Sequence, residues 1–207
     1  MIQVRTVFQV KFGKIDQAVD LFRRLPNIAG GPMLSVHYHL LSDLSGPMFT
    51  LVQELVVSTL GDWETAQQQL FSRPDFDEWF KGFQQFIEGG RTEYYTIEGE
   101  CEEWTRPGVI VVREAFRALK WQIRPAVGLL QRYGALMVDS SVGRKPRITT
   151  DLSGPMFQVA IEVETAGLSE WESSRRLLFR RPEFQLWFMQ LAAAVEAGAH
   201  EFYRVEA

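Results

Sequence analysis

Two charged pairs stand at matching places in this 207-residue chain and have the residue types for acid–base chemistry. The pairs are Arg5 with Glu54 and Arg113 with Glu162. In either pair the glutamate could act as a base while the arginine stabilises a developing oxyanion. A structural role is the alternative, because a buried charge needs an opposite partner and such a pair would fix strand register. A single active site would not need the pair twice, so we favour the structural role.

Two histidines lie on one face of an expected strand, at a spacing that can hold a metal. They are His37 and His39, and the corresponding residues of the second half are Lys145 and Arg147. No third ligand is evident, so we expect no metal. The four side chains could instead line one end of a cavity and favour an anionic ligand. A solvated rim is the simpler interpretation.

Tyr95 and Tyr203 each combine an apolar ring with one hydroxyl, which could position a phenolic or carbonyl ligand. Cross-strand packing is the alternative interpretation. His200, expected near the end of the last helix, is the one candidate for an axial haem ligand. We expect no cofactor. Cys101 has no histidine near it in the sequence, so a thiol nucleophile is not expected.

An internal repeat explains why these residues come in matching sets. The heptapeptide DLSGPMF occurs at residues 43–49 and again, unchanged, at 151–157, an offset of 151 − 43 = 108. A repeat of this length predicts two similar structural units in one chain. We expect the copies at residues 1–98 and 108–207, with a linker at 99–107.

Each copy is predicted to follow the order β-α-β-β-α-β, the split βαβ ferredoxin-like arrangement. In the first copy, apolar alternation predicts strands at residues 2–12, 34–42, 48–57 and 91–98. We expect Asp62 to cap a long helix, Pro74 to begin a further helical segment and Gly89-Gly90 to end it. Arg5 and Glu54 would then face the same side of neighbouring strands.

A four-stranded sheet with both helices on one face leaves the other face uncovered. We therefore expect an α+β protein whose two ferredoxin-like repeats pair their sheets in a single-chain pseudo-twofold α/β barrel, with the helices outside. A ligand cavity would lie between the two sheets, or between a sheet and a helix.

Each copy also resembles the dimeric α/β-barrel superfamily, especially its NIPSNAP-like and antibiotic-biosynthesis-monooxygenase-like branches. The resemblance rests on an Asp-Leu-x-Gly-Pro turn, a Trp-Glu pair and a Pro-x-Phe-x-x-Trp-Phe segment, within residues 43–80 and 151–188. It implies the barrel fold. The superfamily includes cofactor-independent monooxygenases, lactone isomerases, haem-binding enzymes and stress-responsive proteins, so the fold alone does not set a function.

Two functions therefore stay open. One is a small-molecule-binding barrel that acts as a cofactor-independent monooxygenase or isomerase on a hydrophobic substrate, or carries a ligand. The other is a non-catalytic stress-responsive or assembly protein whose barrel is filled by side chains. For the predicted barrel, homodimerisation through outer helices or sheet edges also stays open.

Composition narrows the classes of partner. The chain has a net charge of −4 with interspersed charges and no basic stripe, so a nucleic-acid partner is not expected. No run of apolar residues is long enough for a membrane helix, and no signal peptide is evident, so we expect no membrane partner and a cytoplasmic location. The expected partner is a small hydrophobic or anionic ligand.

Overall fold

The computed structural model describes residues 1–25, 37–100, 104, 106–139 and 145–207. The strands are β1 Ile2–Val10, β2 His37–Asp43, β3 Thr50–Val57, β4 Ile87–Ile97, β5 Ile110–Ala118, β6 Arg147–Asp151, β7 Gln158–Thr165 and β8 Val195–Val205. The helices are α1 Ile15–Phe22, α2 Leu60–Phe71, α3 Pro74–Gln84, α4 Ile123–Asp139, α5 Leu168–Phe179 and α6 Pro182–Ala194. We call β1–β4 with α1–α3 the first copy and β5–β8 with α4–α6 the second copy.

The eight strands form one closed antiparallel barrel in the order β1-β3-β2-β8-β5-β7-β6-β4. The copies join at two seams, where β2 pairs with β8 and β4 pairs with β6. The predicted single-chain barrel is therefore confirmed. Closure gives each described strand two neighbours, which removes the sheet-edge route to homodimerisation and leaves the outer helices.

Three apolar clusters hold the fold together. Two lie between the sheet and the helices, one in each copy, and combine many aliphatic residues with a few aromatic ones such as Phe83 and Trp187. The third lies inside the barrel and contains Val52, Val111 and Trp104. Trp104 comes from the predicted linker, so a residue between the copies packs within the space that the strands enclose.

The repeated heptapeptide connects each copy to the other. Ser45 Oγ accepts a hydrogen bond from the backbone N–H of Phe202 at 3.0 Å, and Ser153 Oγ accepts one from Tyr94 at 3.0 Å. The turn itself needs a positive φ at its glycine and at the phenylalanine that ends the motif, including 97° at Gly46. Both hairpins thus fasten onto the last strand of the opposite copy, which gives the identical residues an identical task.

Four local expectations were wrong. Helix α2 is capped by Thr59, and Asp62 is its partner in a capping box rather than the cap itself. Gly89-Gly90 lies within β4, which begins at Ile87, because helix α3 has already ended at Gln84. His200 lies on β8 rather than near the end of a helix. Strand β3 begins at Thr50, since positive φ at Phe49 keeps residues 48–49 in the turn.

Pro74 does begin a helix, as the sequence indicated, and Pro182 does the same in the second copy. At the first position of a helix a proline loses no hydrogen bond, because that N–H would have no partner within the helix. Among the described helices, none is long and apolar enough to span a membrane.

Candidate functional site

The two Arg–Glu pairs are direct cross-strand neighbours inside the barrel. Arg5 lies opposite Glu54 with Nε 3.5 Å from Oε1, and Arg113 lies opposite Glu162 with Nε 3.2 Å from Oε1. All four side chains are at most 4% exposed. The alternation of β1 and β3 had predicted this shared face, and the barrel brings the two pairs into one network.

The tyrosines join the arginines of opposite copies. The Arg5 guanidinium donates to the Tyr203 hydroxyl at 2.9 Å, and the Arg113 guanidinium donates to the Tyr95 hydroxyl at 3.4 Å. Each tyrosine hydroxyl also lies within 3.1 Å of a glutamate two residues earlier on its own strand. Tyr95 and Tyr203 therefore connect the copies through the barrel interior, and their hydroxyls already have protein partners.

Arg147 sits between the two glutamates. Its Nη1 is 3.3 Å from Glu54 Oε2 and 3.6 Å from Glu162 Oε2. Its guanidinium also lies over the Trp104 ring, 4.3 Å from the centroid, and Trp104 Nε1 donates to Glu54 at 3.3 Å. A linker tryptophan and one arginine thus fill the middle of the barrel.

Interior charges nearly balance. Three arginines, Arg5, Arg113 and Arg147, face four glutamates, Glu54, Glu93, Glu162 and Glu201. Burial opposes the charged form of Arg5, but Tyr203 and the nearby glutamates outweigh it and raise its pKa. Burial raises the pKa of Glu162, and the charge of Glu54 raises it further. Glu162 therefore binds a proton more readily than an exposed glutamate does.

The expected cationic end of a cavity does not form as one group. Arg147 is buried within the barrel, and His39 is buried near Trp104 with ring centroids 6.4 Å apart. Lys145 lies on the surface in an ion pair with Glu100. His37 is the first residue of β2, and its side chain is not part of what the structure describes. No group of three or more metal-ligating side chains occurs in the described part of the chain.

A different set of polar residues meets outside the barrel, between the sheet of the second copy and its helices. Glu114 faces outward on β5 and is 2% exposed. Its Oε1 accepts from the Tyr133 hydroxyl at 3.0 Å and from Arg175 Nη1 at 2.9 Å, and His200 Nε2 is 3.2 Å from its Oε2. A carboxylate, a guanidinium, an imidazole and a phenol therefore share one buried point.

Each member of this cluster is positioned by a different element. His200 lies directly across from Glu114 in the β5–β8 ladder, and Tyr133 reaches inward from α4. Arg175 extends from α5, where its guanidinium lies 5.0 Å from the Trp171 ring centroid and 4.7 Å from that of Phe179. These aromatic contacts fix the direction in which the guanidinium points.

The surroundings keep Glu114 ionised. Burial alone would raise the pKa of Glu114, but the hydrogen bond from His200 and the charge of Arg175 outweigh burial and lower that pKa. Burial raises the pKa of the Tyr133 phenol, and the Glu114 charge adds to this effect. The cluster therefore holds an anionic carboxylate against a neutral phenol.

A groove of about 160 Å³ opens beside the cluster. It is lined by Glu114, Tyr133, Arg175 and His200 together with Phe116, Phe184, Trp187, Phe188, Leu191 and the backbone at Gly198 and Ala199. The His200 side chain is 38% exposed, so the polar end of the groove reaches solvent. A few convergent polar groups on aromatic walls are typical of ligand sites, although this volume is below their usual range.

Within the described residues of the first copy, the equivalent positions do not form such a cluster. The residues 108 positions earlier are Thr6, Leu25, Gln67 and Thr92. Thr6 and Thr92 hydrogen-bond to each other at 3.1 Å, in place of Glu114 and His200. At these two equivalent positions the first copy thus has hydroxyl groups where the second copy has a carboxylate and an imidazole.

The sequence prediction missed Glu114, Tyr133 and Arg175, and it gave His200 a haem-ligand role on a helix. The sequence did contain a signal for two of these residues. At the repeat offset of 108, Glu114 and His200 stand where the first copy has Thr6 and Thr92. In β5 the glutamate also interrupts the apolar face, between Val112 and Phe116.

Comparison with solved structures places the fold among known barrels. Over its whole length the chain matches a candidate monooxygenase from Fusobacterium nucleatum, covering 92% of that chain at 9% identity and a TM-score of 0.71. It matches a candidate monooxygenase from Lactobacillus acidophilus over 100% of this chain and 94% of that one, at 6% identity and 0.70. It matches an anthrone oxidase-like protein over 99% of this chain and 90% of that one, at 12% identity and 0.70.

Because these sequence identities are 12% or lower, the comparison shows a shared fold and nothing more specific. The expected barrel architecture, with both halves of the barrel in one chain, is thereby confirmed. A scan against protein-family models found no match, and neither did a search of curated proteins.

Proposed function

We propose that this protein is a small-molecule enzyme whose acid–base site is the Glu114 groove of the second copy. The observation that carries the proposal is the single-copy cluster of Glu114, His200, Arg175 and Tyr133 beside an aromatic-walled groove. A network needed only for folding would be expected in both copies, as the interior Arg–Glu pairs are.

His200 is the proposed base. A carboxylate accepts hydrogen bonds, so His200 Nε2 donates to Glu114 and the lone pair of neutral imidazole lies on Nδ1. This is the arrangement in which a buried carboxylate orients a histidine for proton abstraction. Arg175 would then stabilise negative charge that develops on an oxygen of the substrate.

The proposed reaction is cofactor-independent oxidation of an activated carbon by dissolved O₂. Loss of a proton to His200 leaves a carbanion, which reduces O₂ and forms a carbon–oxygen bond, and the protonated His200 returns the proton to the peroxide oxygen. The resulting hydroperoxide loses water, so a CH₂ group and O₂ give a carbonyl and H₂O. The full-length likeness to two candidate monooxygenases and an anthrone oxidase-like protein supports this choice of chemistry.

The groove suits a planar apolar molecule that is only partly enclosed. Its volume of about 160 Å³ holds one edge of a fused-ring system, and Phe188 extends the apolar wall toward solvent. The interior candidates Arg5, Glu54, Arg113 and Glu162 have structural roles in this proposal, since their side chains are buried among one another.

The test is oxygen uptake with anthrone as the probe. We expect His200→Gln to lower turnover at least about 100-fold, the usual contribution of a general base. The matched control is Thr92→Gln, at the equivalent place in the first copy, and it should leave turnover unchanged. If His200→Gln and Thr92→Gln behave alike, the site is wrong.

A non-catalytic protein with a filled barrel is the second candidate. The specific observation in its favour is the occupied interior, where Trp104 and Arg147 fill the space between the sheets. Failure of the wild-type protein to consume O₂ with anthrone or to bind it at the groove would favour this candidate.

A further inference from the structure

A second cavity, separate from the Glu114 groove, lies at one mouth of the barrel. Its volume is about 410 Å³, within the usual range of ligand sites. The walls are largely apolar or backbone, from Val7, Phe8, Pro47 and Gly89-Gly90. Glu201 and Tyr203 line it from the opposite strand β8. The mouth therefore combines an apolar wall with a carboxylate.

Glu201 keeps one oxygen available at this mouth. Its Oε2 lies 3.1 Å from Arg113 Nη1, 3.1 Å from the Tyr203 hydroxyl and 3.7 Å from Arg5 Nη2. Among the described residues no contact uses Oε1, and the side chain is 25% exposed. Burial opposes the ionised form, but the charges of Arg113 and Arg5 outweigh it and lower the pKa of Glu201. The carboxylate is thus anionic at neutral pH and can accept a further donor.

The equivalent mouth of the barrel, formed by the residues that correspond through the repeat, is closed. Glu93 corresponds to Glu201, yet its side chain is only 5% exposed. Arg91 Nε contacts Glu93 at 2.7 Å, and a Cβ added at Gly154 would touch the Glu93 side chain at 3.4 Å. At Gly46, the equivalent of Gly154, no atom lies within 4 Å of such a Cβ.

One residue difference accounts for much of this closure. Gln158 reaches the Tyr95 hydroxyl, with its Oε1 3.0 Å away. The equivalent residue is Thr50, whose shorter side chain turns back and donates to Pro47 O at 2.8 Å. Tyr203 and Glu201 consequently line an open cavity, while Tyr95 is covered.

We propose that this open mouth binds a small primary amine, with its ammonium group on Glu201 and its alkyl body against the apolar wall. Glu88 also lines the cavity, which favours a cation over an anion. The one arginine in the lining, Arg91, is already paired with Glu93. An ammonium group would pair with the Glu201 carboxylate, and a short alkyl chain would pack against the apolar wall.

The test is titration of the full-length protein with hexylammonium, followed by amide NMR and calorimetry. We expect saturable binding, with shifts at Gly89 and Gly90, and at least about tenfold weaker binding of hexan-1-ol and hexanoate. Thr50→Gln installs the residue that covers the other mouth, and it should weaken hexylammonium binding by a similar factor. Glu201→Gln should do the same.

The matched control is Gln158→Thr, which changes the closed mouth and should leave hexylammonium affinity at the open mouth unchanged. Absence of saturation, equal binding of hexanoate, or wild-type affinity in folded Thr50→Gln protein would each overturn the proposal. Thr50 is not part of the charge network, so Thr50→Gln keeps the test valid if Glu201→Gln fails to fold.

Discussion

At the scale of single residues, two buried glutamates of this protein respond to their surroundings in opposite directions. Glu162 shares Arg147 with another carboxylate inside the barrel, and its pKa is raised by burial and by the charge of Glu54. Glu114 lies outside the barrel with three donors of its own, from Tyr133, Arg175 and His200, and its pKa is lowered despite burial. The two glutamates should therefore change the pH dependence of the free energy of unfolding in opposite directions.

This difference predicts opposite pH dependences for two glutamine variants. A glutamate with a raised folded-state pKa stabilises the fold below its unfolded pKa of about 4.5, and this stabilisation is lost as the pH rises through the folded pKa. The destabilisation caused by Glu162→Gln should therefore shrink above about pH 4.5. A lowered folded-state pKa contributes stability above that value, so the destabilisation caused by Glu114→Gln should shrink as pH falls below it. Urea unfolding between about pH 3 and 8 measures both. Parallel trends in the two variants would contradict these assignments.

The sequence allowed only some of the interacting side chains to be predicted. The Arg5–Glu54 and Arg113–Glu162 pairs were predictable, because strand alternation and the repeat both place them on one face. The complete Glu114 cluster was not, since its members come from four separate elements; the replacement of Thr6 and Thr92 by Glu114 and His200 indicated only two of them. Trp104 was also missed, because a single tryptophan in a polar linker shows no periodicity that would indicate burial.

At the scale of elements, the repeated hairpin is the device that joins the copies. Ser45 and Ser153 accept equivalent hydrogen bonds from the last strand of the opposite copy, beside the seams where β2 meets β8 and β4 meets β6. Sequence identity over seven residues pointed to a turn, but which strand it would contact followed only from closure of the barrel.

We expect Ser45→Ala and Ser153→Ala to destabilise the protein equally, by about 1 kcal/mol each, because each removes one hydrogen bond to a backbone N–H. Ser58→Ala, at an exposed serine, is the control and should have no measurable effect. Urea denaturation gives the three values. A silent Ser153→Ala beside a destabilising Ser45→Ala would show that the two seams are not equivalent.

At the scale of the whole molecule, our proposals assign folding to what the two copies share and function to what only one copy has. The features shared by both copies, namely the Arg–Glu pairs, the tyrosines and the hairpins, hold the barrel closed. The features found in one copy only, namely the Glu114 cluster and the open mouth at Glu201, are the candidate sites. Under these proposals, the differences between the copies indicate the sites better than the repeated residues do.

The most direct measurement replaces the Glu114 cluster with the residues of the first copy. The variant combines Glu114→Thr, Tyr133→Leu, Arg175→Gln and His200→Thr, the residues that the first copy has at the equivalent positions. We expect it to keep the cooperative unfolding transition of the wild type and to lose anthrone-dependent oxygen uptake. A folded variant that consumes oxygen at the wild-type rate would contradict the central claim that the acid–base site lies in the second copy.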